Sequence, residues 1–402
     1  MRARLVSAVA LTSVVCTGAV FAQASGVPLP IRGELPGVTE TFVQHPPGIE
    51  VTSYATGLEI VWSLAFAPDG RLFIAERPGR IRVVDSGGVL DQEPWLVIPG
   101  FAARFEDGLL GLTLDPAFAE QPWVYAYYTT DKDGVLVNRV SRFREVSGRG
   151  GSEQILLDDI PSGRIHNGGR LRFGPDGMLY VTTGDTFEAM RAQNTRDLGG
   201  KILRIASDGA IPTDNPFPGS PVWAFGVRSS HGLAFRPADG ALFAADNGPS
   251  TEWPEQFIRA RDELNVIEKG ANYGWPIVVG APGMPQFTDP LLAFAPQSVP
   301  PGDLMFYDAD AIPGLRGDLL LSSLAAQAIL RIRFEDTASP NRPTSIERWF
   351  NNGEPNGAVH GRLRGMAVGP DGAIYVGTGN RDGRAALRDG DDQVLRIALA
   401  GR

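Results

Sequence analysis

Apolar and polar positions alternate in short runs along most of this chain, and the runs come in pairs. Ser63-Leu64-Ala65-Phe66 is followed by Ala67-Pro68-Asp69-Gly70 and then by Arg71-Leu72-Phe73-Ile74. The alternation predicts two strands, and Pro-Asp-Gly predicts the tight turn between them, because proline presets φ and glycine accepts positive φ. The unit recurs at 111–128, 168–181, 232–245, 304–321 (a degenerate copy) and 365–376, at intervals of roughly fifty to seventy residues. Later strands of the units are visible at 79–84, 201–205 and 393–397. Six units of four strands, with no long amphipathic helix, predict an all-β fold: a six-bladed β-propeller of four-stranded antiparallel blades. A solenoid would repeat at shorter periods and without the long loops. Residues 48–402 read as one propeller domain, residues 25–47 as a Pro-rich extended strap, and 282–303 as a long Pro-rich loop of the kind usually kept for function.

Composition narrows the setting. The 49 glycines and 32 prolines suit many short strands joined by turns. Arg2 and Arg4, the apolar run 5–21 and Ala22-Gln23-Ala24 have the form of a cleaved export signal, residues 1–24, sending the chain to the periplasm or outside the cell. The apolar run is short and leads into polar chain, so no permanent membrane span is expected. Cys16 follows Val15, not the small residue a lipoprotein site requires. Loss of the leader takes the net charge from -9 to -11 and removes the only cysteine, which excludes disulfides and thiol chemistry from the mature chain. The acidic balance argues against a nucleic-acid partner.

In a propeller the innermost strand of each blade faces a central channel, so residues just before those strands converge at one mouth. They are Glu106-Asp107-Gly108, His166-Asn167, Arg228-Ser229-Ser230-His231 and His360-Gly361-Arg362-Leu363-Arg364. His166 stands beside Gly168 and Gly169, which let backbone or something flat approach closely. An imidazole exchanges protons near neutral pH, so His166 could be a general base; it could equally cap a strand. Guanidinium groups grip carboxylates with two prongs, and Arg362 and Arg364 alternate on one strand and share a face. The alternative is a pair of solvated arginines.

Glu106-Asp107-Gly108-Leu109-Leu110-Gly111, His166-Asn167-Gly168-Gly169-Arg170-Leu171, Leu198-Gly199-Gly200-Lys201-Ile202-Leu203-Arg204, Asp214-Asn215-Pro216-Phe217, Gly248-Pro249, Asp262-Glu263-Leu264-Asn265, Asn272-Tyr273-Gly274-Trp275-Pro276 and Arg362-Leu363-Arg364, in that order, resemble the soluble quinoprotein sugar dehydrogenases. These are aldose or glucose dehydrogenases that use pyrroloquinoline quinone (PQQ) and calcium on a six-bladed propeller. The resemblance covers nearly the whole chain after the leader. It implies oxidation of an aldose at C1 to a lactone, with the hydride passing to PQQ, His166 as base and Arg228 beside the quinone oxygen. It implies that Glu106, Arg228, Ser229, Tyr273, Arg362 and Arg364 hold the cofactor. The Gly248 and Pro249 carbonyls would hold the calcium that bridges to PQQ, and Glu263 with the Tyr273 backbone match a second, structural calcium site. Asp185 and Gln193 would lie near the site, and Trp275 would serve packing. An external electron acceptor is implied but not identified, and both a monomer and a homodimer remain open.

The chain departs from the family in three places. Arg228-Ser229-Ser230-His231 stands where Arg-Asn-Pro-Gln is common, Ser322-Ser323-Leu324-Ala325-Ala326 replaces a stretch carrying a cofactor lysine, and 250–261 is inserted. One charge-assisted contact is worth about 1.5–3 kcal/mol, so its loss weakens cofactor binding. His231 could supply a substitute polar group or only cap a loop. Two other readings follow: a calcium-dependent, lactonase-like hydrolase with a ring of inward Glu, Asn and Asp, including Glu106 and Asn167, and a non-catalytic binding propeller that has lost PQQ.

Overall fold

A computed structural model describes residues 30–35, 37–101, 105–249, 261–294, 298–335 and 342–401. The export signal, Cys16 and most of the insertion lie outside the described residues. Each pair of alternating runs forms the two inner strands of a blade. The innermost strands are Val61–Phe66, Leu109–Leu114, Gly168–Phe173, Ser230–Phe235, Pro301–Phe306 and Leu363–Val368 in blades one to six. The four strands of each blade run antiparallel in sequence order, except that the outermost strand of blade six is Ile49–Ala55, which pairs with Val394–Leu399 and closes the ring. Buried apolar clusters fill all six blade–blade interfaces; Phe73 of blade one packs with Tyr128 and Phe143 of blade two, and Val61 and Leu72 of blade one with Tyr375 of blade six.

Two stretches are more ordered than their composition suggests. The segment 282–303 is not loop throughout, because Leu292–Phe294 pairs with Asp262–Ile267 as the fourth strand of blade four. Within the strap, Thr39–Val43 adds a parallel fifth strand to blade five, and Ile31–Arg32 pairs with Val278–Val279. Among the described residues no helix is long and apolar enough to cross a membrane.

The channel is bolted across its axis. The Arg170 guanidinium is buried in blade three and donates to the Ser63 hydroxyl of blade one (2.6 Å), the His231 carbonyl of blade four (2.9 Å) and the Gly302 carbonyl of blade five (2.6 Å). Its Nε lies 3.1 Å from Asp303 Oδ1, and Asp303 also accepts from the Met366 amide of blade six (2.9 Å). One ion pair therefore ties five blades at the axis.

Candidate cofactor and active site

Two cavities flank the bolt and share no lining residue. One, of about 640 Å³, lies at the turn end and is lined by Pro68, Pro116, Pro370, Met305 and Met366, with Arg172 and Asp115 its charged groups. The other, of about 420 Å³, lies where the innermost strands begin. Its wall brings together Glu106, His166, Arg228, His231, Gly248, Arg362 and Arg364. It also includes Trp62, Arg77, Asp382 and Arg384, which the sequence reading missed. A signal for them exists. A hairpin returns its second strand to the mouth where its first began, so residues just after second strands, such as Arg77 after Leu72–Glu76, belong to the same rim.

His166 has φ 59°, the sparsely populated left-handed region that persists where the surroundings dictate it. Gly168 and Gly169 follow at φ 66° and 106°, and the close approach they permit is to protein. A Cβ on Gly168 would lie 2.7 Å from Thr183 backbone, and one on Gly169 would lie 2.8 Å from Leu110 Cβ. The buried His166 ring is fixed by Nδ1, 2.8 Å from Asp185 Oδ1. Asp185 also accepts from the Phe187 amide (2.9 Å) and, through Oδ2, from Trp275 Nε1 (2.7 Å). Burial alone would raise the Asp185 carboxyl, but His166, Arg228 and the amide outweigh it and hold it below the usual carboxylate range. Trp275 is thus more than packing, and Gln193 braces it by donating to its carbonyl (2.7 Å).

Cations crowd the opposite wall. Arg362 Nε and Arg364 Nη2 each donate 2.7 Å to the same Asp382 Oδ2, which confirms that the two arginines share a face. Arg364 stacks 4.2 Å above the Trp62 ring, and its buried Nε has no partner. Burial first, and then Arg362, push Arg364 down to about 9. Arg228 donates to the Asn247 carbonyl (3.1 Å), and its amide and that of Ser229 are held by Asp246 (both 2.8 Å). Burial would raise Glu106, but Arg384 at 2.5 Å, with His231 and His166, holds it below the usual range. Surplus guanidinium and an orphaned Nε fit a polyanionic ligand such as PQQ.

Gly248 lies in the wall, with Pro249 buried beside it. The neighbouring Asn247 Oδ1 is buried without a partner, and the Asp262 carboxylate, which accepts from the Gly248 amide (3.0 Å), lines the same wall, so oxygen donors gather there, which suits an oxygen-seeking cation such as calcium. Among the described residues no group of three His, Cys, Asp or Glu is placed to hold a metal. Glu263 sits on the third strand of blade four, opposite Asp246, and accepts from the Gly280 amide (2.8 Å). Burial, and then Asp246, push it up to about 8. Tyr273 is not in the cavity wall; its ring is in the core and its hydroxyl donates to the Val266 carbonyl (2.6 Å). Ser229 Oγ lies 3.2 Å from His231 Nε2. Leu324 and Ala325 do line the cavity, so an apolar patch occupies the wall where the resemblance leads one to expect a lysine. Asn167, needed at the axis by the hydrolase reading, instead bonds Asn138 (3.0 Å) and Gly163 (2.8 Å).

Known proteins share this fold. A family model described as glucose/sorbosone dehydrogenase matches residues 58–388. A Thermus thermophilus structure described as an oxidoreductase (glucose dehydrogenase) is 44% identical, with a TM-score of 0.78 over 87% of this chain and 99% of that one. The PQQ-bound aldose sugar dehydrogenase of Streptomyces coelicolor is 33% identical, with a TM-score of 0.74 over 88% and 99%. The aldose sugar dehydrogenase YliI of Escherichia coli is 27% identical, covering 84% of this chain and 92% of that one.

Proposed function

Because the chain belongs to the glucose/sorbosone dehydrogenase family, we propose that it is a PQQ- and calcium-dependent sugar dehydrogenase that oxidises aldoses at C1 to lactones in the periplasm or outside the cell. The observation that carries this reading is the His166–Asp185 pair, 2.8 Å apart, facing a cluster of buried guanidinium groups across one cavity.

Arg228, Arg362 and Arg364 would hold the carboxylates of PQQ, and the Arg364 Nε would gain the partner it lacks. The Gly248 and Pro249 carbonyls, with Asn247 Oδ1, would hold calcium. When bound, the quinone supplies the two-electron acceptor for the C1 hydride. The protein's own part is proton transfer and orientation. Asp185 fixes the tautomer in which His166 Nδ1 donates, leaving Nε2 free to take the proton of the C1 hydroxyl. The Asp185 carboxylate then stabilises the imidazolium. Trp275 and the Phe187 amide keep that carboxylate in place. Electrons leave afterwards to an external acceptor.

The test is uptake of PQQ and calcium by purified protein, followed by dye reduction with glucose, galactose, xylose or maltose. His166→Ala is expected to lower kcat by about 10²–10⁴ while PQQ still binds. Full turnover in that variant would remove the base assignment. No PQQ uptake and no dye reduction with any sugar would leave the hydrolase or binding-module readings.

A further inference from the structure

The cavity holds a second imidazole that the proposed reaction does not use. His231 is 6% exposed and lines the wall. One contact anchors its backbone and two fix its ring. Arg170 Nε holds its carbonyl at 2.9 Å, the Trp62 ring lies 5.6 Å from it, and Ser229 Oγ sits 3.2 Å from Nε2. Its Nδ1 is buried with no hydrogen-bond partner.

The Ser229 contact is compatible with both ring tautomers. In the one where the Ser229 hydroxyl donates to Nε2, the ring proton resides on Nδ1, and that tautomer gives the orphaned nitrogen a use. Burial pushes the imidazole down to about 3; Glu106 alone opposes this, and Arg364, Arg170 and His166 add to it. A histidine that only capped a loop would satisfy both nitrogens within the protein, because a buried N–H without an acceptor loses its hydration without return.

We propose that His231 presents its Nδ1–H as a hydrogen-bond donor to an oxygen of the molecule bound in this cavity. This rests on the reading above, in which the occupants are a quinone rich in carboxylate and carbonyl oxygens and a sugar. Either can be the acceptor, and the measurements separate them. A neutral donor here would replace part of what Leu324 and Ala325 cannot give.

The test uses the full protein with PQQ, calcium and glucose. His231→Phe keeps a flat ring without nitrogens and is expected to raise by about tenfold either the PQQ dissociation constant, if the quinone is the acceptor, or the sugar KM, if the sugar is. His231→Asn places an amide N–H near the Nδ1 position and should recover most of that loss. Unchanged values of both constants in a folded His231→Phe variant would overturn the proposal. If that variant does not fold, the ring nitrogen ¹⁵N shifts of His231 decide: protonation at Nδ1 supports the proposal, and protonation at Nε2 overturns it. Failure of the wild type to take up PQQ would sink the dehydrogenase reading instead, while the ¹⁵N spectrum would still report on His231.

Discussion

Asp185 shows how one carboxylate organises the His166 side of the candidate site, with one oxygen on His166 and the other on Trp275. Asp185→Asn should lower kcat by about 10²–10⁴, because an amide no longer fixes the productive tautomer. Trp275→Phe should cost about tenfold, since the carboxylate stays charged but loses one tether. Steady-state kinetics with a reducible dye distinguish the two; full kcat in Asp185→Asn would end the orienting role. His166, Arg228, Arg362 and Arg364 were legible in the sequence because each directly precedes or opens an innermost strand. Trp275 was legible as a residue but not as a tether, because its partner comes from a different blade and no local pattern records that pairing.

At the scale of elements, the hairpins were readable because strand alternation and Pro-Asp-Gly turns are local chemistry. The ends of second strands supply Arg77, Asp185, Gly248, Leu324 and Asp382 to the site or its support; Asp185, Gly248 and Leu324 were reached only through the resemblance, and Arg77 and Asp382 were not reached at all. Leu292–Phe294 was hidden by the prolines around it, although strand pairing with Asp262–Ile267 overrides that composition. The ring closure concerns Ile49–Ala55. Six register pairs join it to Val394–Leu399, and without it blade six would present an open edge. A chain truncated through Ala55 should aggregate or melt well below the full protein. An unchanged thermal midpoint and monomeric behaviour would show that the closing strand is dispensable.

For the whole molecule, acid stability carries a signature from His360, packed edge-on 5.0 Å from the Phe350 ring. Burial, then Arg388 and His45, push this imidazole down to about 4 from 6.5. Below 6.5 the unfolded chain therefore binds the proton more readily than the folded one. The stabilisation is present above 6.5 and is lost as pH falls toward 4. The thermal midpoint of the wild type should accordingly fall relative to that of His360→Phe between pH 6.5 and 4, whatever the other groups contribute to both. A constant difference across that interval would contradict the burial argument.

The Arg170–Asp303 bolt also governs traffic. It lies between the two cavities, so in the proposed reaction the sugar and the external acceptor would use the same mouth in turn, and double-reciprocal plots at several acceptor concentrations should run parallel.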